Sequence, residues 1–287
     1  MDERYIFISD FFAEDIVGGA ELNNEELIKI LRDRGNEVIK RHSHKVDLHF
    51  ISTHPDHRYI ISNFVNLPGQ SIGLISQRCN YVLYEHDHKY LASRDPALYP
   101  NFKAPKDKII NLEFYKNANA VFCQSKFHRD IVHLNTGLEN LKNVSGNLWS
   151  EDTLDLLEQF SSVEKEEYAA IMETRQNNKK TQTAIEYCVH KKKKYRLVSS
   201  GDNKDFLRRL GANSTLVFFP STPETLSRIV CEARMMGMKV TVNKLVGATK
   251  EEWFDLKGKP LVDLMRQKRK DIVDLVEGSF ENSTSNK

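Results

Sequence analysis

The stretch VFFPSTPETLSRIVCEARMMGMKVTV, Val217–Val242, joins an apolar run, a polar loop, a helical pattern and a second apolar run. This order is typical of a βαβ unit, in which a helix connects two parallel strands. The helix is predicted over Thr225–Met236 and is accompanied by two carboxylates, Glu224 and Glu232. Eight helical positions correspond to about 12 Å along the axis, so the two carboxylates are expected to reach different parts of one long ligand.

Similar units are predicted on both sides of this stretch. Strands are predicted at Arg4–Ser9, Glu37–Lys40, Val46–Ser52, Tyr81–Glu85, Ala120–Gln124, Tyr168–Met172, Arg196–Ser200, Thr215–Phe219 and Lys239–Val242. Further helices are predicted at Ala20–Arg34, Asp107–Asn117, Lys126–Leu134, Lys180–His190 and Lys204–Leu210. The alternation predicts an α/β protein with two facing, doubly wound, Rossmann-like domains, whose ligands bind beyond the carboxyl ends of the strands.

The domain boundary is expected at a break in the pattern near residues 143–162. We expect an N-terminal domain over residues 1–148 and a C-terminal domain over residues 149–277 that ends in a closing helix, Gly258–Val276. The small and polar residues 278–287 are predicted to be a disordered tail.

Charge and composition narrow the functional classes. The 42 Lys and Arg residues nearly balance the 40 Asp and Glu residues, which does not indicate a nucleic-acid-binding protein. The basic runs at Lys191–Lys194 and at residues 266–270 leave peripheral contact with DNA or an anionic membrane open. No apolar run approaches the roughly 18 residues of a membrane span, and the first residues lack a secretion-signal pattern, so a cytoplasmic protein is expected. No cysteine pair has metal-site spacing.

The first candidate site, Gly18-Gly19-Ala20-Glu21, follows the first strand and opens a helix. Two glycines allow a tight turn and a close approach of the backbone, and a helix N-terminus offers N–H groups to an anion. A simple turn is the alternative.

The second candidate site is a pair of cations, Arg175 and Lys180, in the loop after the strand that ends at Met172. An Arg fork and a Lys point charge could bind a diphosphate, and Lys179 could replace Lys180. Solvent-exposed loop charges are the alternative.

The third candidate site is the loop and helix around Glu224, with the N–H groups of Thr225, Leu226 and Ser227 beside it. A helix start suits phosphate, while Glu224 could accept from sugar hydroxyls and Glu232 from a ribose. The alternative is a favourable N-terminal charge at Glu224 and an exposed helix residue at Glu232.

Together these motifs resemble the family-4 type of retaining glycosyltransferases with the GT-B fold. That family has Gly-Gly-x-Glu after its first strand, an Arg and a Lys five residues apart after the first strand of its second domain, and P-S-x-x-E-x7-E. The matching residues, in the same order over about 240 residues of the chain, are Gly18, Gly19 and Glu21, then Arg175 and Lys180, then Pro220, Ser221, Glu224 and Glu232.

The resemblance implies roles for these residues in binding a UDP- or GDP-sugar donor. Arg175 and Lys180 would neutralise the leaving diphosphate, Glu224 would hold the transferred sugar and Glu232 the ribose. Gly18 and Gly19 would approach the donor phosphates or the acceptor, and Gly201 would lie near the base. The family needs no bound metal and no permanent cofactor.

The chain departs from the family pattern at three places. Thr174 stands where a glycine usually precedes the arginine, and Lys180-Thr181 replaces the usual Lys-Gly. The usual E-x-F/P-G helix start reads Glu224-Thr225-Leu226-Ser227.

Histidines follow the predicted strand Tyr81–Glu85, in Glu85-His86-Asp87-His88. Because a histidine near this place often contacts the donor or the acceptor in the resembling family, we assign that role to His86 first and to His88 second. A histidine pair in a polar loop is the alternative.

The sequence therefore predicts a hexosyltransferase that moves a sugar, with retention, to a glycan, a lipid-linked or another hydroxyl acceptor, without an obligate protein partner. A DNA-base (hydroxymethylpyrimidine) glycosyltransferase and a non-catalytic nucleotide-sugar-binding protein remain alternatives. A metal-dependent hydrolase is a third, because His54-Pro55-Asp56-His57 resembles part of a metallo-β-lactamase signature, although Ser52 stands where its first histidine would be.

Overall fold

The computed structural model describes residues 3–174, 176–199 and 202–281. The chain divides into two compact units. The first contains the residues up to Leu148 together with the chain from Arg269 onward, and the second is Trp149–Lys268. Each unit is built around its own parallel sheet, which confirms the predicted α/β class.

The sheet of the first unit has the strand order β2-β1-β3-β4-β5-β6, with parallel pairing throughout. Its strands are β1 Arg4–Ser9, β2 Glu37–His42, β3 Arg58–Ile61, β4 Asn80–Glu85, β5 Val121–Cys123 and β6 Leu141–Asn143. The inner strands are apolar almost throughout, because helices cover a parallel sheet on both faces. These helices are α1 Gly19–Asp33, α2 Leu48–Ser52, α3 Gly69–Arg78, α4 Leu112–Asn117 and α5 Lys126–Thr136.

The sheet of the second unit has the order β10-β9-β7-β8 and is also parallel. Its strands are β7 Glu166–Met172, β8 Tyr195–Val198, β9 Asn213–Phe218 and β10 Lys239–Val242. Its helices are α6 Glu151–Ser161, α7 Thr181–His190, α8 Asn203–Gly211, α9 Arg228–Met235 and the first part of α10 Lys259–Glu281. A core that includes Leu216, Val230 and Met235 packs between sheet and helices.

The predicted strand Val46–Ser52 is wrong, because Leu48–Ser52 forms helix α2. The Asp47 side chain caps this helix by accepting a hydrogen bond from the Phe50 N–H at 2.7 Å. The strands β3 and β6 and the helix α3 were not predicted. The predicted helix Asp107–Asn117 forms only from Leu112 onward.

The C-terminal helix α10 extends beyond the predicted Gly258–Val276 and includes residues 278–281, so the predicted disordered tail is wrong over these four residues. The apolar side chain of Phe280 explains the extension. It is buried and meets the ring of Tyr5 edge to face, with ring centroids 5.8 Å apart. No helix among residues 3–174, 176–199 and 202–281 is long and apolar enough to cross a membrane.

Candidate functional site

In the second unit, hydrogen bonds join the loop that follows β9 to the loops that follow its neighbours β7 and β10. The Ser221 N–H donates to the Asn178 carbonyl at 2.8 Å, and the Asn243 side chain donates to the Pro220 carbonyl at 2.7 Å. Loops at the carboxyl ends of parallel strands form the usual ligand edge of such a sheet. The backbone therefore brings the loop around Asn178 and the loop before Glu224 together at this edge.

The side chains that meet there are Lys179 and Glu224. The Nζ atom of Lys179 donates to Glu224 Oε1 at 2.6 Å, and it lies 5.8 Å from the centroid of the Phe218 ring. Both side chains are partly buried, so this ion pair is screened less than a surface pair. A lysine can pair with a phosphate, and a carboxylate can accept hydrogen bonds from sugar hydroxyls. The two side chains together therefore suit a phosphorylated sugar.

The predicted cation Lys180 does not contact Glu224. It is exposed, and its φ of 50° and ψ of 47° make it a left-handed residue at the N-cap of α7. This backbone turn separates the two lysines, and Lys179, which precedes it, is the one at the carboxylate. The predicted site residues Arg175 and Gly201 lie outside the described residues.

Glu224 does not lie at a helix start, so this part of the prediction is wrong. Its backbone pairs with the segment after β10, donating to the Leu245 carbonyl at 2.8 Å and accepting from the Gly247 N–H at 2.9 Å. The Leu226 carbonyl extends this pairing by accepting from the Ala248 N–H at 3.0 Å, and the Leu226 side chain is in the core. These bonds tie Glu224 and Leu226 to the segment after β10, and the helix begins at Arg228 instead of Thr225.

Ser227 is the N-cap residue of α9. Its φ of 81° and ψ of 90° are outside the regions that residues with a side chain ordinarily occupy. The helical hydrogen bonds begin immediately after it, because the N–H groups of Val230 and Cys231 both donate to the Ser227 carbonyl.

Glu232 is buried, with 5% of its surface exposed, which excludes the alternative of an exposed helix residue. Its Oε1 atom accepts from the Trp149 indole N–H at 2.9 Å and lies 3.6 Å from Arg228 Nε. The Arg228 guanidinium lies 4.5 Å from the centroid of the Trp149 ring. The indole hydrogen bond and the positive charge of Arg228 therefore act on the same carboxylate oxygen.

In the first unit, His86 directly follows β4, and hydrogen bonds hold both of its ring nitrogens. Nε2 bonds to Asn24 Oδ1 at 2.8 Å, and Nδ1 bonds to Gln124 Nε2 at 2.8 Å. Because an amide oxygen accepts and an amide nitrogen donates, this arrangement places the ring proton on Nε2. Asn24 comes from α1 and Gln124 follows β5, so three elements position this imidazole.

The network around His86 continues to both sides of the ring. The Asn24 amide donates to Ser62 Oγ at 2.9 Å, and the Gln124 amide donates to Asn147 Oδ1 at 2.7 Å. Ser62 follows β3, so the network crosses the carboxyl ends of three strands of the sheet. His86 itself is only half-buried, so it lies at the surface of this network.

His88, the second histidine assigned to the site, is buried. Burial lowers its pKa to about 4, and its Nδ1 bonds to the Tyr90 hydroxyl at 3.2 Å. Beside it, Glu85 is enclosed with Lys89 and Tyr115, which both donate to its carboxylate. Burial raises the pKa of Glu85, and these groups belong to the interior of the unit.

Gly18 is the N-cap of α1, and Gly19 is its first residue. The φ of −130° at Gly18 is open to any residue, so a tight turn does not explain the glycine. A Cβ on Gly18 would lie 2.3 Å from Glu21 Oε2, so the flexible end of the Glu21 side chain would have to move. The Glu21 side chain folds back over the helix start, and burial raises the pKa of its carboxyl.

The segment His54–His57, on which the hydrolase alternative rests, forms hydrogen bonds with other groups of the first unit. His54 Nδ1 bonds to the Phe50 carbonyl at 2.7 Å, and the Tyr59 hydroxyl donates to the His54 carbonyl at 3.0 Å. In the described part of the chain, no group of three or more His, Cys, Asp and Glu residues could hold a metal ion.

Sequence reasoning missed several of these groups, namely Asn24, Gln124 and Trp149. Gln124 is the last residue of a predicted strand, and a polar residue at the carboxyl end of a parallel strand indicates a candidate site residue. Trp149 carried no signal, because its partner Glu232 is 83 residues away in the sequence.

No protein-family model matches this chain. No curated protein sequence matches it either. Solved structures do match its fold over nearly the whole chain.

One similar structure is Anabaena Alr3699/HepE in complex with UDP-glucose, with 13% identity, coverage of 99% of this chain and 100% of that chain, and a TM-score of 0.55. Another is the catalytic domain of starch synthase IV from Arabidopsis thaliana bound to ADP and acarbose, with 10% identity, full coverage of both chains and a TM-score of 0.60. A third is an α-glucosyltransferase in complex with UDP and a 13-mer DNA containing an HMU base, with 11% identity, coverage of 98% and 94%, and a TM-score of 0.50.

At these identities the likeness concerns the fold alone. The neighbours span the length of the chain, and both of its units are doubly wound parallel sheets. The chain therefore has the GT-B glycosyltransferase fold.

Proposed function

We propose that this chain is a retaining glycosyltransferase that moves a hexose-type sugar from a nucleoside-diphosphate sugar to a hydroxyl acceptor. The observation that carries the proposal is the ion pair of Lys179 and Glu224, 2.6 Å apart at the carboxyl edge of the second unit's sheet. The N-terminus of α9 and the buried Glu232 follow it within eight residues. HepE and starch synthase IV, which share the fold, were solved with UDP-glucose and with ADP.

Each group has a task that its chemistry suits. Lys179 neutralises charge on the departing diphosphate, and Glu224 accepts hydrogen bonds from hydroxyls of the transferred sugar. The positive end of the α9 helix dipole stabilises the phosphate groups, and Glu232 accepts hydrogen bonds from the ribose hydroxyls.

The reaction breaks the bond between the anomeric carbon and the diphosphate oxygen and forms a bond from that carbon to the acceptor oxygen. Stabilising the leaving diphosphate lowers the barrier as the sugar becomes oxocarbenium-like. The acceptor's proton passes to the departing phosphate oxygen on the same face, which retains the configuration without a protein nucleophile. In this proposal Lys179 and the N-terminus of α9 supply the positive charge that stabilises the leaving diphosphate, so we propose a metal-independent reaction.

The acceptor is proposed to be a glycan, a lipid-linked glycan or another hydroxyl compound. A hydroxymethylated DNA base, the kind of acceptor in one structural neighbour, receives little support from the basic runs. Lys191–Lys194 precedes β8 and so lies at the amino end of its sheet, opposite the candidate site. Arg266 is bound by Glu151, Asp155 and Glu158.

The test is a panel of UDP-, GDP- and ADP-sugars, with binding measured by calorimetry and turnover by nucleotide release, in the presence and absence of EDTA. Glycan, lipid-linked and hydroxymethylated-DNA acceptors are compared, and NMR of the product gives its anomeric configuration. We expect turnover with one donor, retention, no effect of EDTA, and loss of turnover in Glu224→Ala. Binding without turnover on any acceptor would indicate a nucleotide-sugar-binding protein instead, and full activity of Glu224→Ala would refute the site.

A further inference from the structure

Ser227 combines two unfavourable features at one position. Its φ of 81° places a residue with a side chain in a backbone conformation that suits glycine. The resembling family has its glycine at this place in the E-x-F/P-G motif. A glycine would remove the backbone strain at no steric cost, so the serine side chain itself needs an explanation.

The second feature is the hydroxyl. Ser227 has 6% of its surface exposed, and its Oγ atom is buried without a hydrogen-bond partner. A buried hydroxyl that makes no hydrogen bond loses its interaction with water and gains nothing in return. A glycine would remove this cost as well.

Other N-cap serines of the chain behave differently. Ser125 and Ser150 have extended backbones, and their hydroxyls cap α5 and α6 by accepting from the N–H groups of His128 and Thr153. An extended backbone of this kind is typical of a residue that caps a helix with its side chain. Ser227 has a positive φ instead, and its hydroxyl does not cap α9. The hydroxyl is thus kept at a helix N-terminus without serving that helix.

We propose that the Ser227 hydroxyl donates a hydrogen bond to a phosphate oxygen of the bound nucleoside diphosphate, at the N-terminus of α9. The inference rests on the proposed function and adds a contact that a glycine at this position could not make. A phosphate oxygen there satisfies the buried hydroxyl and also benefits from the helix dipole. The strained backbone is then a consequence of presenting a side-chain donor where the helix presents its N–H groups.

The experiment uses the full chain and two variants, Ser227→Ala and Ser227→Gly. Calorimetry measures the affinities for UDP, GDP and ADP and for the three matching nucleosides, and the tightest nucleotide is carried through. Both variants lack the hydroxyl, but only Ser227→Gly relieves the backbone. We expect both to bind the diphosphate about tenfold or more weakly than the wild type, with the nucleoside affinity changed less than about twofold.

Thermal unfolding supplies the readout that a purely structural serine would not produce. Ser227→Gly is expected to melt at or above the wild-type temperature while binding the diphosphate more weakly. Diphosphate binding within twofold of wild type in both variants overturns the inference and leaves the proposed function standing. Weaker binding in Ser227→Gly alone also overturns it, because the backbone and not the hydroxyl would then matter. A wild type that binds none of the nucleotides overturns the proposed function together with this contact.

Discussion

The Lys179 Nζ atom lies 2.6 Å from Glu224 Oε1, although the two residues are 45 positions apart in the sequence. The hydrogen bond between the Ser221 N–H and the Asn178 carbonyl brings their two loops together. The ion pair therefore depends on the pairing of β7 with β9, and it selects Lys179 over its neighbour in the sequence.

Replacing each lysine in turn tests that selection. Lys179→Gln is expected to lower kcat/KM for the nucleotide-sugar donor by roughly 100-fold, because one charge-stabilising group is lost from the transition state. Lys180→Gln removes an exposed charge and keeps a polar, unbranched side chain, and kcat/KM should stay within about threefold of wild type. Steady-state kinetics of the two variants under identical conditions gives the comparison. A larger loss in Lys180→Gln would return the cation role to Lys180.

Burial of Glu232 predicts a stability effect as well as a binding effect. Glu232→Gln removes the buried negative charge that lies 3.6 Å from Arg228 Nε and weakens the bond to Trp149, so the free energy of unfolding should fall by about 1–3 kcal/mol. Glu166→Gln is the matched control, because Glu166 pairs with Arg196 in solvent, where ion pairs are screened. Denaturant unfolding of both variants measures the difference, and equal effects would mean that burial does not matter here.

The short distance between a Cβ on Gly18 and the Glu21 carboxylate predicts that Gly18→Ala changes the pKa of Glu21. In Gly18→Ala the new Cβ displaces the flexible end of Glu21 into solvent, so the raised pKa of the Glu21 carboxyl should fall toward its ordinary value of about 4.5. An NMR titration of the glutamate carboxyl carbons measures this pKa in wild type and variant.

The control for this substitution is Gly73→Ala. Nothing lies within 4 Å of a Cβ on Gly73, which is in the interior of α3. This variant should leave the Glu21 pKa unchanged and stabilise the chain by about 0.5–1 kcal/mol. A Glu21 pKa that is the same in wild type and in Gly18→Ala would show that Gly18 does not control this carboxyl.

The buried His88 predicts a loss of stability in acid. Burial lowers its pKa to about 4 in the folded chain, whereas an unfolded histidine titrates near about 6.5. Between these values an unfolded His88 binds a proton that the folded one does not, so the contribution of His88 to the free energy of unfolding falls as the pH drops from about 6.5 to about 4. One such group contributes at most about 1.4 kcal/mol per pH unit.

The variant His88→Asn should flatten this pH profile without abolishing it, because burial also lowers the pKa of His128. His133→Asn, at an exposed position, is the control and should leave the slope unchanged. Denaturant midpoints between pH 4 and pH 7 give the slopes. Superimposable profiles for wild type and His88→Asn would exclude His88 as a source of the acid sensitivity.

The sequence pattern predicts correctly those strands and helices whose apolar residues repeat with a regular period. The strands β1 and β10 were predicted with their observed bounds, and α1 was predicted to within one residue at each end. The strands β3 and β6 were not predicted, because segments of only four and three residues are too short to show a periodic pattern. In α2 the cap at Asp47 outweighs an apolar alternation that suggested a strand.

The candidate site was predictable in composition but not in geometry. The motif residues Glu224 and Glu232 were identifiable by spacing, whereas the helix between them begins three residues later than its pattern suggested. The reason lies outside the segment, since the backbone of Glu224 and Leu226 pairs with residues 245–248. Contacts of this kind, formed after a chain reversal, leave no periodic signal in either segment.

The assignment of residues 269–281 to the first unit has a consequence for protein synthesis. Ile272, Val273 and Phe280 belong to the same apolar cluster as Tyr5 and Phe7 of β1. The strands of this unit are translated before the second unit, yet their core lacks these side chains until α10 has been translated. Native closure of that core must therefore follow synthesis of the entire second unit, and until then Tyr5 of β1 lacks its contact with Phe280.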